Sequence, residues 1–109
     1  MSDLKSIAIE YFETFSRKDL DGLEEMFADN VTLKDWAISA SGVIGVVAAN
    51  KKIFESVETI QVAPLALYQD GNTVAAEIEI LINSEEKLSV VDVITFEDDK
   101  IASVRAYKG

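Results

Sequence analysis

Three polar side chains stand where the surrounding pattern calls for apolar ones: Tyr11, Asp35 and Asp92. Tyr11 falls on the stripe Leu4, Ile7, Ala8, Tyr11, Phe12, Phe15, which keeps the three- and four-residue spacing of one helical face. Asp35 shares a strand face with Val31 and Leu33, and Asp92 shares another with Leu88, Val90, Ile94 and Phe96. Burial disfavours the charged form of a carboxyl, so two aspartates on inward faces need partners or a purpose. Histidine and cysteine are both absent, which removes the usual base near neutral pH and every thiolate nucleophile. Acid–base chemistry here would therefore rest on carboxylates, tyrosines, lysines or arginines. No Asp-x-Asp-x-Asp-Gly loop with a following glutamate occurs, and neither a metal nor a cofactor is expected.

Each of the three residues also has a plainer reading. Asp35, near the end of a short strand, could be a turn residue accepting backbone N–H bonds. Asp92 could point outward if Val91 and Val93 formed the inner face instead. Tyr11 could be a core tyrosine with a satisfied hydroxyl. From the residues alone these alternatives stay open.

The elements that must position them follow from periodicity. Ser2 or Asp3 can cap the first helix, and Asp19 a short second one carrying Leu20, Leu23, Met26 and Phe27, with Asp29-Asn30 as its breaker. A strand is expected from Val31 to Trp36, then a turn with a serine cap at Ser39–Gly42. A third helix follows, with Val43, Val46, Val47, Asn50, Phe54 and Val57 on its apolar side. Beyond it, the alternation of Ile60 and Val62 resumes out of phase at Leu65 and Leu67, which predicts a bulge or edge position at Ala63-Pro64. Turns at Asp70-Gly71-Asn72, Ser84–Lys87 and Asp98-Asp99-Lys100 divide the remainder into long strands. Three helices followed by antiparallel strands cannot form a βαβ array. The expected fold class is α+β: a cone-shaped, curved, mostly antiparallel sheet with the three helices of the N-terminal half packed on its concave face. Such a cone leaves a concave, mainly apolar pocket at its open end.

Bulk composition agrees. At 109 residues and 49% apolar, the chain is expected to form a single domain over 1–109. Its net charge of −10 sets up a field that repels phosphate backbones and anionic membranes, so nucleic acid and membrane are not expected partners. With no leader-like or spanning apolar run, a cytoplasmic location is expected.

The ungapped stretch from Tyr11-Phe12-Glu13 through Lys18-Asp19-Leu20-Asp21-Gly22 and Phe27-Ala28-Asp29-Asn30-Val31 to Lys34-Asp35 resembles the front of bacterial ketosteroid isomerases. It also resembles the wider SnoaL-like, nuclear transport factor 2-like (NTF2-like) superfamily. Val91-Asp92-Val93-Ile94-Thr95-Phe96 and Lys100-Ile101-Ala102-Ser103-Val104-Arg105-Ala106 look like the final hairpin of the same family. The resemblance implies a cystatin-like cone. It also implies that Asp35 is the general base and that Tyr11 and Asp92 are oxyanion donors, the second aspartate being held neutral so that it can donate. Trp36 follows the base where the isomerases have proline, and the Asp35–Gly42 segment is shorter, so the pocket lining is expected to differ. Phe15, Trp36 and Phe54 are the aromatic residues expected at the ligand, although strand alternation would also put Trp36 on the face opposite Asp35.

Three functions remain in view. One is an isomerase or lyase that moves a proton next to the carbonyl of a small hydrophobic molecule. Another is a noncatalytic module that binds such a molecule or dimerises. The third is a different superfamily chemistry, epoxide hydrolysis or dehydration, which leans on histidine or on an arginine between two aspartates, and only Arg17 and Arg105 could serve here. A homodimer is expected through an outer sheet face carrying Ala75, Leu81, Val91, Val93 and Ala102, interrupted by Glu77 and Glu79.

Overall fold

A computed structural model describes residues 3–109; Ser2, one of the two caps considered for the first helix, lies outside them. Asp3 takes the role, its carboxylate accepting from the Lys5 N–H, and opens α1 (Leu4–Ser16). Asp19 caps α2 (Leu20–Met26) by accepting from the Gly22 N–H at 3.0 Å. A side chain at position 22 would collide with that cap, since a Cβ there would lie 2.6 Å from the Asp19 carboxylate. The expected breaker pair Asp29-Asn30 does not end α2. Both residues lie exposed within β1 (Phe27–Lys34), in the stretch between Phe27 and Thr32 where its pairing shifts register.

Serines 39 and 41 do not form a capped turn. They flank Ala40 in β2 (Ser39–Ser41), which pairs antiparallel with β1. The following helix α3 (Val43–Glu55) starts from Gly42 at φ +78° with no side-chain cap, a backbone geometry that suits glycine. Val57, placed by its spacing in the helix, lies just beyond the end. What holds that end is Lys18, whose ammonium donates to the carbonyls of Phe54, Val57 and Glu58 at 2.9, 2.6 and 2.9 Å. A cation on the last carbonyls of a helix satisfies orphan acceptors and complements the helix dipole.

The rest is β3 (Ile60–Asp70), β4 (Thr73–Ile82), β5 (Glu86–Glu97) and β6 (Lys100–Lys108). The sheet order is β2-β1-β6-β5-β4-β3, with β1 parallel to β6 and the other pairs antiparallel. Register shifts between Pro64 and Ala66 and between Thr95 and Phe96 bend the strands, the first at the predicted bulge. The β4–β5 turn runs over Asn83–Glu85, a residue earlier than expected, because Asn83 and Ser84 both adopt positive φ. On β3, which lies at the sheet edge, the outward N–H of Val62 donates to the Ser16 hydroxyl of α1.

Phe12, Leu23, Val31, Val46, Val74, Ile94 and Ile101 form the fully buried centre between the helices and the concave face. Burial of this kind is worth roughly 1.5–3 kcal/mol per large side chain before entropy is charged against it. On the convex face, Val91 is exposed and Ala75, Leu81 and Val93 are half-buried. Ala102, assigned above to that face, is instead buried, because it sits where β5 and β6 shift register. Among the described residues no helix is long and apolar enough to cross a membrane.

Candidate functional site

Asp92 lies in mid-sheet on β5, paired with Ala76 of β4 and Ala106 of β6. Its carboxyl faces inward at 7% exposure while Val91 points out, so the reversed-face reading does not hold. Both cross-strand neighbours end at Cβ, which leaves space over the carboxyl. Tyr11 approaches from α1, buried at 4%, with its ring tilted against those of Phe12, Phe15 and Phe27 at centroid distances of 5.5, 6.2 and 6.2 Å. That packing leaves the ring little freedom to turn.

Asp35 corrects the strand expected to run to Trp36, for β1 ends at Lys34. Asp35 begins a turn in which its N–H donates to the Ile38 carbonyl, and its Oδ1 accepts from the N–H groups of Ala37 and Ile38 at 2.7 and 2.6 Å. The turn reading is therefore seen in the structure: the backbone bonds occupy one carboxylate oxygen and orient the group.

All three residues line one cavity of about 230 Å³. Its wall is almost wholly apolar, with Ile60, Ile78, Ile80, Leu88, Val90 and Val104 among the contributors. Ligand sites commonly run from roughly 300 to 1,000 Å³, so the space suits a small molecule. In these surroundings burial, reinforced by the Asp35 carboxylate, pushes the Asp92 carboxyl up to about 7. Burial, and then the Asp92 carboxylate, hold the Tyr11 hydroxyl well above the ordinary phenol range. Near neutral pH, Tyr11 keeps its proton and Asp92 is partly protonated, so both can donate hydrogen bonds.

The aromatic residues divide. Phe15 and Trp36 line the cavity, and Trp36 reaches it from the turn at 48% exposure. Phe54 does not line it. Its ring lies one layer back, edge-on to Phe15 at 4.8 Å, so it supports the wall instead of forming it. Arg105 pairs in register with Val93 and Lys34 and is exposed, and Arg17 donates to the Thr14 hydroxyl at 3.4 Å. Neither lines the cavity between the aspartates, as the epoxide-hydrolysis reading requires.

One polar lining residue was not singled out as chemical. Asn50 of α3 is 2% exposed, lines the same cavity, and its Nδ2 has no hydrogen-bond partner among the described residues. The signal was in the sequence, since Asn50 interrupts the apolar stripe of α3 as Tyr11 interrupts that of α1.

Comparison with known proteins places the chain. No curated protein matches it. Among solved structures, a proposed isomerase of the SnoaL-like family from Agrobacterium tumefaciens superposes with a TM-score of 0.86 at 15% identity, covering 100% of this chain and 99% of that one. A proposed ketosteroid isomerase from Kribbella flavida gives 0.85 at 17% identity, covering 97% of this chain and 77% of that one. A de novo designed protein with a curved β-sheet gives 0.83 at 18% identity over 100% of this chain and 88% of its own. At these identities the likeness shows the fold alone. The model of the SnoaL-like domain matches residues 8–104, nearly the whole chain, and the protein therefore belongs to the SnoaL-like domain family, built on the NTF2-like cone.

Proposed function

We propose that this protein binds a small hydrophobic carbonyl compound in the cone and moves a proton at the carbon next to the carbonyl. In this reading the Asp35 carboxylate takes the proton, Tyr11 and neutral Asp92 donate hydrogen bonds to the developing enolate oxygen, and Asp35 returns the proton at another carbon. The observation that carries it is the convergence of these three groups on one apolar cavity, with Asp92 held up to about 7. The names of the Agrobacterium and Kribbella structures point the same way. A second reading, a noncatalytic ligand module, is favoured by the turn bonds of Asp35, which give that residue a structural reason to be present. A second copy of the chain docked on the convex face completes the proposed assembly.

The test is binding of a planar polycyclic phenol, an enolate mimic, followed by ultraviolet absorbance. Tight binding with a spectral shift toward the phenolate, weakened by both Tyr11→Phe and Asp92→Asn, supports the proton-transfer site. Binding indifferent to both substitutions supports the noncatalytic module.

A further inference from the structure

Three polar or charged side chains are buried among the described residues: Thr14, Asn50 and Asp92. Thr14 is accounted for within its own helix, since its hydroxyl donates to the Glu10 carbonyl at 2.7 Å, as the Ser16 hydroxyl does to that of Phe12 at 2.8 Å. Asp92 belongs to the site already described. Asn50 is left over. It stands inside α3, where a short polar side chain could have bonded back to its own helix. Yet its Nδ2 has no partner among the described residues, and the side chain, 2% exposed, lines the cavity. An unpaired buried donor costs stability, and an apolar residue of similar size would not carry that cost, so the amide needs a partner from elsewhere.

The fold sets this amide on a different wall from Tyr11. α1 packs on β3 and β4, whereas α3 packs on β1 and β2, and β5, with Asp92, runs between. The two helices meet at their C-terminal ends, through Phe15 edge-on to Phe54 and through Lys18 on the last carbonyls of α3. Tyr11 and Asn50 each lie four residues before that ring contact, about one helical turn, on opposite flanks of the cavity.

We infer that Asn50 is a ligand-binding residue, and that the hydrophobic carbonyl compound held in the cone carries a second oxygen function, a hydroxyl, facing α3. Tyr11 and Asp92 take the carbonyl oxygen, and Asn50 takes the hydroxyl on the other flank. A half turn of the amide exchanges its NH2 and its oxygen without changing its shape, and a hydroxyl both donates and accepts, so the two match in either orientation. Because the remaining wall is almost wholly apolar, a ligand with its hydroxyl elsewhere would bury it against hydrocarbon. The amide thereby fixes which way round the ligand lies. The inference rests on the cavity being a ligand site, as proposed above, and needs no proton transfer.

The experiment titrates the full chain with 2-naphthol, 2,6-dihydroxynaphthalene and 2,7-dihydroxynaphthalene, one ring with a single hydroxyl or with a second at either of two positions. Binding is read from the fluorescence of the probes. One of the diols is expected to bind about tenfold more tightly than 2-naphthol, which is what one net hydrogen bond supplies. In Asn50→Leu that advantage disappears while 2-naphthol still binds, and the variant stays folded because it removes an unpaired donor. Asn50→Ala, which clears the wall instead of filling it, loses the advantage likewise. Tyr11→Phe weakens all three probes and leaves the advantage in place. No advantage for either diol in the natural chain, or an advantage that survives both Asn50 substitutions, overturns the amide subsite and leaves the cavity reading intact. If none of the three probes binds, both fall.

Discussion

Asp92 shares its cavity with Asp35, and the charge of the second carboxylate adds to burial in keeping the first protonated up to about pH 7. Two groups of the same chemistry are held in different surroundings. Asp35 sits at a turn near the mouth with backbone N–H groups on it, while Asp92 sits in mid-strand between alanines.

That difference makes stability depend on pH. The folded state holds the Asp92 proton more tightly than the unfolded chain, whose carboxyl titrates near 3.8. The contribution is therefore fully present below about pH 4 and is lost as pH rises through about 7, a change on the order of 4 kcal/mol for this one group. Asp92→Asn cannot ionise. Its melting temperature relative to the natural chain should climb between pH 4 and pH 7 and level off above, which thermal denaturation across that range reads directly.

The proposed proton transfer should lose its donor only at the upper end of that range, where the folded chain itself releases the Asp92 proton. The rate of proton transfer is expected to fall above about pH 7 as Asp92 ionises. Tyr11→Phe should cost about 10²- to 10³-fold in rate, and Asp35→Asn about 10²- to 10⁴-fold. The Asp35→Asn fold should survive, because an amide oxygen can still accept from Ala37 and Ile38. A pH–rate profile whose alkaline limb persists unchanged in Asp92→Asn would assign that limb to another group.

Asn50 carries a cost that a leucine of similar size would not. A buried donor left unpaired is worth about 1–3 kcal/mol of destabilisation. Asn50→Leu should raise stability by about that amount in urea denaturation with the m-value unchanged. A fall in stability would mean that the amide has a partner in solution.

Lys18 ties the loop after α1 to the end of α3 through three carbonyls. Lys18→Met keeps the aliphatic stem and removes the charge-assisted bonds, and is expected to cost about 2 kcal/mol in chemical denaturation. Added salt should reproduce little of that loss, because the contacts are direct and part-buried.

The proposed pairing of two chains through the convex face is checked by sedimentation at micromolar concentration. Replacing the exposed Val91 with lysine should shift a dimer to monomer. A natural chain that sediments only as monomer removes the convex face as a self-interface.

Much of the fold was legible because its signals are local. Stripes at helical spacing marked α1 and α3, the carboxylates of Asp3 and Asp19 marked helix starts, and the phase slip after Val62 marked the bulge in β3. The failures lie where tertiary pairing overrode local preference. Asp29 and Asn30 look like a helix terminator and were drawn into a strand, and Ser39 to Ser41 look like a turn and became the strand beside β1. The aspartate on β5 was readable as a residue sharing a face with Leu88, Val90, Ile94 and Phe96, but which face turns inward was decided only by the burial of Asp92 against the exposure of Val91. The position of Phe54 behind Phe15 was not readable, since helical periodicity says which face is buried but not how deep each ring lies. The Lys34–Arg105 pairing was equally hidden: the two are far apart in the chain and meet only through the parallel β1–β6 pair.

The bond from Val62 to Ser16 bears on how the molecule behaves when crowded. A long edge strand is an open template onto which another chain can add, and β3 is eleven residues long. Its outward Val62 N–H is already taken by α1, Pro64 offers no N–H at all, and the adjoining register shift breaks the straight run. At the other edge β2 has only three residues to offer. The cone is thereby protected against edge-to-edge polymerisation, and Ser16, which touches nothing in the cavity, helps keep it dispersed.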